Sequence, residues 1–253
     1  MVDALRLSFG TFTGIKVPTP SRIDSQVMKF ALFFSFLPAL AVSGLAWLGG
    51  YLAFRVMHAS LVAAVLVIGA EYLLTSGLHI DGLLDAADAG AVLKKSGRDR
   101  ALEVMKVGNS GPAAFATGLL VLLLQAAALS VAFTRHQSVA WIISALLGRF
   151  AVVMACRTGS KSARPDGLGN PFIGSVDFLW LILSAVINFA IVGILGVGTR
   201  LWLILGAIAL AMAFGEVLKN RAQRQYGGLT GDILGSILEK VRTLSLLFLI
   251  IHI

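Results

Sequence analysis

The sequence predicts an all-α fold: a polytopic integral membrane bundle with about six to seven transmembrane helices. Three observations point there. Of 253 residues, 57% are hydrophobic and only 13% are charged, against about a quarter charged in an average soluble domain. Seven apolar runs approach the roughly 20 residues that a helix needs to cross a bilayer core of about 30 Å. Basic residues alternate between rich and poor from one connecting segment to the next. This composition excludes a disordered chain, a disulfide scaffold and an ordinary soluble enzyme.

The runs fall at roughly 28–49, 57–76, 112–133, 138–157, 178–198, 201–219 and 233–253. The first begins too far in, and is too long, for a cleaved secretory signal. The last contains Glu239, Lys240 and Arg242, so only its second half is continuously apolar. Ahead of the first run, residues 1–27 form a cytoplasmic or interfacial segment. Leu5, Leu7, Phe9 and Phe12 suit a short interfacial helix or, equally, a docked irregular arm. The whole of 1–253 is expected to be a single membrane-embedded domain; no internal repeat stands out. The lone cysteine, Cys156, falls in an apolar run and excludes an intrachain disulfide.

Lys and Arg number 4 in the N-terminal segment and then 1, 5, 1, 3, 1 and 3 in successive loops. The N-terminus and the second, fourth and sixth loops should therefore face the cytoplasm. The net charge of +8 reads as this topology, set against an anionic leaflet, and not as nucleic-acid binding.

The chemistry gathers in those same loops. Asp81, Asp85 and Asp88 follow one another at i, i+4 and i+7, which places them on one helical face. Three carboxylates there repel unless a cation neutralises them, and hard oxygen ligands suit Mg²⁺. The alternative is a solvated acidic face. His79 just ahead is either structural or assists proton transfer. Arg98, Arg100 and Lys106 suit phosphate binding, or else belong to an amphipathic surface helix with internal ion pairs. The fourth loop, 160–174, is rich in Gly and Pro, so its amides could approach a phosphate closely. In the sixth loop Thr230 suits a helix cap, and Asp232 is either a first-turn acid or a fourth carboxylate for the metal. Glu71, Glu216 and Arg149 lie within apolar runs; Arg149 needs a partner, which Glu71 or Glu216 could supply.

Taken in order, these motifs resemble the cobalamin synthase family, the adenosylcobinamide-GDP ribazoletransferases. The matching pieces are Gly77-Leu78-His79-Ile80-Asp81-Gly82-Leu83 with Asp85 and Asp88, then Arg98-Asp99-Arg100 through Glu103-Val104-Met105-Lys106. Gly167-Leu168-Gly169-Asn170 with Phe172-Ile173-Gly174 follows, then Thr230-Gly231-Asp232 with Leu234-Gly235 and Glu239. Ser76, Ala89 and the Val107–Gly111 stretch depart from the family's common pattern.

The resemblance implies a Mg²⁺-dependent enzyme of the prokaryotic cell membrane acting late in vitamin B12 assembly. Adenosylcobinamide-GDP would react with α-ribazole or its 5′-phosphate, releasing GMP. Asp81, Asp85 and Asp88, with Asp232, would hold the metal. Asp81, Asp85, Asp88 or His79 would serve catalysis, and Arg98, Arg100, Lys106, Gly169 and Asn170 would bind substrate. Besides its substrates, the chain is expected to contact membrane lipids and no nucleic acid, and it could form a homo-oligomer. Competing expectations are a CDP-alcohol phosphotransferase-like or prenyltransferase-like enzyme and a cation-coupled transporter. Asp81, Asp85 and Asp88 gather at one membrane face, whereas a transporter would place its acids near mid-membrane.

Overall fold

The computed structural model describes residues 1–167 and 169–251. Its helices are α1 (Val2–Phe12), α2 (Ser25–Phe33), α3 (Phe36–Met57), α4 (Ser60–Leu74), α5 (Leu78–Val107), α6 (Pro112–Thr134), α7 (Ala140–Ala155), α8 (Phe178–Leu195), α9 (Leu201–Tyr226) and α10 (Gly231–Ile250). Among the described residues there is no strand, only isolated bridges at Arg157–Val176 and Ser162–Leu229.

Every apolar run became a helix, and polar residues set the ends. Asp24 caps α2 by accepting from the Val27 amide at 2.9 Å, and Asp177 caps α8 by accepting from Trp180 at 3.1 Å. Pro112 opens α6, where the missing N–H costs nothing. The N-terminal segment resolves its open choice as a helix: α1 packs on α2 and α3.

Against the six to seven spans expected from the sequence, four stretches among the described residues are long and apolar enough to cross: Ser25–Met57, Pro112–Thr134, Phe178–Leu195 and Leu201–Tyr226. There are five if α4 and α5, bent by 91°, count as one broken span. The helix α5 by itself is too charged to cross, and it breaks at Gly97, where φ is +80°. The remaining two runs are α7 and α10. With 16 residues, α7 is about 24 Å long, short of the bilayer core. Asp232, Glu239, Lys240 and Arg242 make α10 too polar to lie in lipid.

Both occupy the middle of the bundle. Every residue of α7 is buried, and α10 packs on α7, α5, α9 and α6. The outer helices turn large apolar side chains outward instead, such as Leu52, Leu123, Val186 and Leu205. A helix apolar on all sides belongs either in lipid or in a protein core, and α7 takes the second place. Cys156, at its end, is buried.

Several charged side chains of the central pair meet partners on neighbouring helices. Arg242 of α10 grips Glu71 of α4 with two hydrogen bonds of 2.6 and 2.7 Å, and its guanidinium lies 3.8 Å from the Trp141 ring centre. Trp141 Nε1 donates to the same Glu71 carboxylate at 2.8 Å. Gln125 of α6 donates to Glu239 at 2.9 Å. The expected partner for Arg149 is corrected by this arrangement. Glu71 is committed to Arg242, and Glu216 to Arg157 at 2.5 and 2.9 Å. Arg149 donates instead to His79 at 2.7 Å and lies over the Phe12 ring.

Candidate active site

The basic-rich segments, separated in sequence, meet on one side of the bundle. The α7–α8 loop is tied to the α9–α10 turn by Ala163 N–H to Leu229 O and Leu229 N–H to Lys161 O, both 2.8 Å. Lys106 of α5 reaches Asp166 of that loop at 3.1 Å. Arg98 lies against Gly227, whose φ of +73° ends α9. The N-terminal segment joins through Gly14 N–H to Leu74 O at 2.7 Å and Lys29 to Asp177 at 2.9 Å. The loops that share a sign of charge thus share a location.

Glycines let two of these elements touch. A Cβ on Gly82 of α5 would lie 2.9 Å from Asp232 O and 3.0 Å from its Cα. One on Gly235 of α10 would lie 3.2 Å from His79 O. The start of α5 and the start of α10 therefore cross backbone to backbone, which brings Asp232 to the α5 acids. Gly169 completes the approach: its Cβ would fall 2.7 Å from Gly231 N. The Gly82→Ala variant is expected to lose about 1–3 kcal/mol of stability through overpacking and to lower activity more than tenfold. Thermal unfolding in detergent together with turnover would check this.

The acids at this crossing are not equivalent. Asp81 is exposed, whereas Asp85 and Asp88 are buried. Among the described residues, neither Asp81 nor Asp85 accepts a hydrogen bond. Asp88 accepts from the amides of Gly111 and, at 2.8 Å, Ala114, so it also fastens the N-terminus of α6. Asp232 pairs with Arg164 at 2.5 Å, while Thr230 caps α10 by accepting from Ile233 at 3.2 Å. Burial first, then the charges of Asp81, Asp232 and Asp88, raise the Asp85 carboxyl to about 6 against a lowering by Arg164. Burial likewise raises Asp232. Asp81, Asp88 and Asp232 are thus each close enough to act on Asp85.

The donors present suit Mg²⁺. Among the described residues, no three carboxylate, imidazole or thiol groups are arranged to hold one ion. Mg²⁺ does not demand such a cage: it takes one or two carboxylates and completes its shell with water and phosphate oxygens. Asp81 and Asp85, one helical turn apart and without hydrogen-bond donors, match that need.

His79 faces the other way. Its Nε2 meets the Arg149 guanidinium at 2.7 Å in the buried interior. Arginine only donates, so Nε2 must accept and its lone pair is occupied. Arg100 pairs with Glu103 at 2.6 Å. That pair and Lys106–Asp166 are exposed, and such pairs contribute little and exchange readily. Ala101 and Met105 bury the opposite side of this stretch, so it is an amphipathic helix as well as a basic one. Gly169 is buried against Gly231, and Asn170 donates to Pro165 O at 2.9 Å. Leu168, between Gly167 and Gly169, lies outside the described residues, as do residues 252–253 at the end of the last apolar run.

Comparison with known proteins shows the family. Residues 4–250 match the family model described as cobalamin-5-phosphate synthase. The chain belongs to the cobalamin-5-phosphate synthase family. The adenosylcobinamide-GDP ribazoletransferase of Frankia casuarinae is 31% identical, over 98% of this chain and 94% of its own length. That of Nocardioides sp. is 30% identical over 98% of each chain. The Stutzerimonas stutzeri protein of the same name is 33% identical over 89% of this chain and 86% of its own. No solved structure matches the chain. Membership of this family sets aside the transporter and the other diphosphate transferases.

Within the family match, the structure adds residues that sequence reasoning passed over. Gly82 and Gly235 are the contact points of α5 and α10, and Arg164 is the partner of Asp232. The signal for Arg164 was its place in a loop predicted on the same side as the acids. One arginine in a loop rich in glycine and oxygen-bearing side chains gave no reason to prefer it over Lys161 or Arg157.

Proposed function

We propose that the chain is a Mg²⁺-dependent ribazoletransferase of the cell membrane, with its active-site face turned to the cytoplasm. It joins adenosylcobinamide-GDP to α-ribazole, or to its 5′-phosphate, and releases GMP. The observation that carries this is the crossing of α5 and α10, which brings Asp232 to the helix that carries Asp81 and Asp85 and lets its charge act on Asp85. The family match and the names of the relatives support the corrinoid substrate.

In the reaction, the ribose 3′-hydroxyl of α-ribazole attacks the phosphorus that bears the cobinamide oxygen. The new P–O bond forms as the bond to GMP breaks, and GMP leaves as the anion. Asp81 and Asp85 would hold Mg²⁺, with Asp88 and Asp232 adding negative charge behind it. The ion, when bound, supplies neutralisation of the charge that builds on the diphosphate. The hydroxyl proton passes to an aspartate of this face, because His79 Nε2 is occupied by Arg149. Arg98, Arg100 and Lys106 attract the phosphates; the surface pairs of Arg100 and Lys106 give way to a doubly charged ligand. Gly169 and Asn170 line the edge nearest α10.

Purified protein in lipid nanodiscs, given both substrates and Mg²⁺, should release one GMP for each cobalamin formed. Release of CMP from a CDP-alcohol, or of pyrophosphate from a prenyl diphosphate, with no GMP, would overturn the assignment.

A further inference from the structure

We infer that Arg164 is a substrate-binding residue held in reserve, paired with Asp232 until the diphosphate arrives. Its guanidinium reaches Asp232 through one NH₂ group at 2.5 Å, with the arginine side chain 16% and the aspartate 24% exposed. The Nε edge of the same guanidinium is buried and, among the described residues, has no hydrogen-bond partner. A guanidinium in a partly desolvated place needs its donors met, and a free Nε–H beside an NH₂ is the fork that binds a phosphate through two oxygens.

Two further observations place Arg164 at the reacting face. The loop that carries it is clamped to the α9–α10 turn by the Ala163–Leu229 and Leu229–Lys161 hydrogen bonds. Its backbone is therefore fixed while its side chain can choose between acceptors. Its present acceptor is one of the carboxylates proposed to act on Mg²⁺.

The consequence is an exchange. Without ligand, Arg164 neutralises Asp232 and limits the negative charge of the face, which weakens metal binding. As the diphosphate enters with its own negative charge, Arg164 moves from Asp232 to the phosphate oxygens, and Asp232 becomes free to act on the metal. Metal and diphosphate then bind with positive coupling, each making the other's contacts available. This rests on the proposed aspartate face being the metal site.

The two proposals can be tested apart on the intact protein in nanodiscs. Mn²⁺ binding to substrate-free protein is measured by electron paramagnetic resonance, alongside KM for adenosylcobinamide-GDP. In Arg164→Gln, Mn²⁺ should bind about tenfold more tightly, because a competing cation is gone, while KM rises about tenfold, because a charged hydrogen-bond donor to phosphate is lost. Arg164→Lys should keep the wild-type Mn²⁺ affinity and recover only part of the KM, since a point charge cannot form the fork. A purely structural arginine would weaken both. Unchanged or weaker Mn²⁺ binding in Arg164→Gln, or an unchanged KM, overturns the exchange. If Asp85→Asn leaves Mn²⁺ binding intact as well, the aspartate face is not the metal site and both proposals fall.

Discussion

Asp85→Asn is expected to lower GMP release by about 10²- to 10³-fold while leaving the metal-free protein at least as stable as the wild type. The two halves have one cause. Asp85 lies at the centre of four carboxylates and is raised from 3.8 to about 6 by burial and by its acidic neighbours. A carboxyl whose folded value lies above its unfolded one favours the fold when protonated. That contribution is complete below about pH 4 and is lost as the pH rises through about 6. At neutral pH the charged Asp85 therefore weighs against the metal-free fold, and an uncharged amide of the same shape removes the strain. Catalysis needs the opposite, a charged group that binds the cation. Thermal unfolding in the presence of chelator, at pH 7.5 and at pH 4, should show the variant's advantage at the higher pH only. In the wild type the Mg²⁺ concentration for half-maximal activity should rise as the pH falls through 6. A variant that is both inactive and less stable would show instead that Asp85 is a structural residue.

The second large effect is expected in the bundle interior. Arg242→Met should destabilise the protein by about 3–5 kcal/mol, because it strands the Glu71 carboxylate among apolar helices. Arg242 is only 4% exposed and is held by Glu71 and the Trp141 ring. Glu71→Gln should cost a similar amount from the other side. The double variant Glu71→Gln with Arg242→Met should recover part of the loss, since the Glu71 carboxylate is no longer stranded; Glu239, 4.0 Å from Arg242, then keeps only its hydrogen bond from Gln125. Melting of the single and double variants in detergent measures this. A double variant no better than the sum of the singles would mean that the pair contributes little beyond the packing of its side chains. The effect on activity should follow stability, as the pair joins α4 to α10 beneath the site without touching its acids.

The helices were legible in the sequence because length and apolarity declare them. The arrangement was less so, for a physical reason. A helix surrounded by lipid and one surrounded by other apolar helices meet nearly the same solvent, so α7 reads like a span although it is buried on all sides. Glu239, Lys240 and Arg242 hinted that α10 does not face lipid, but not which helices meet those charges. The convergence of the basic loops was legible from sign alone, because membrane topology imposes it.

At the site, the spacing of Asp81, Asp85 and Asp88 put three acids on one helix, with the charges of Asp81 and Asp88 both felt at Asp85; the approach of Asp232 depended on a crossing that only glycine permits. His79 shows the limit of motif reading. It is two residues from Asp81, about 200° around the helix, and so it turns inward to Arg149 while the aspartate turns outward. Asp88 shows another limit. Sequence gives its charge, but only the fold reveals that the Gly111 and Ala114 amides use it to hold α6.

The central claim is that the aspartate face makes this chain a metal-dependent ribazoletransferase. The most direct test is GMP release from adenosylcobinamide-GDP and α-ribazole by chelator-stripped protein, before and after Mg²⁺ is restored. The expected result is no release without the ion and full release on its return, with one cobalamin formed per GMP. Undiminished GMP release in excess chelator would contradict it.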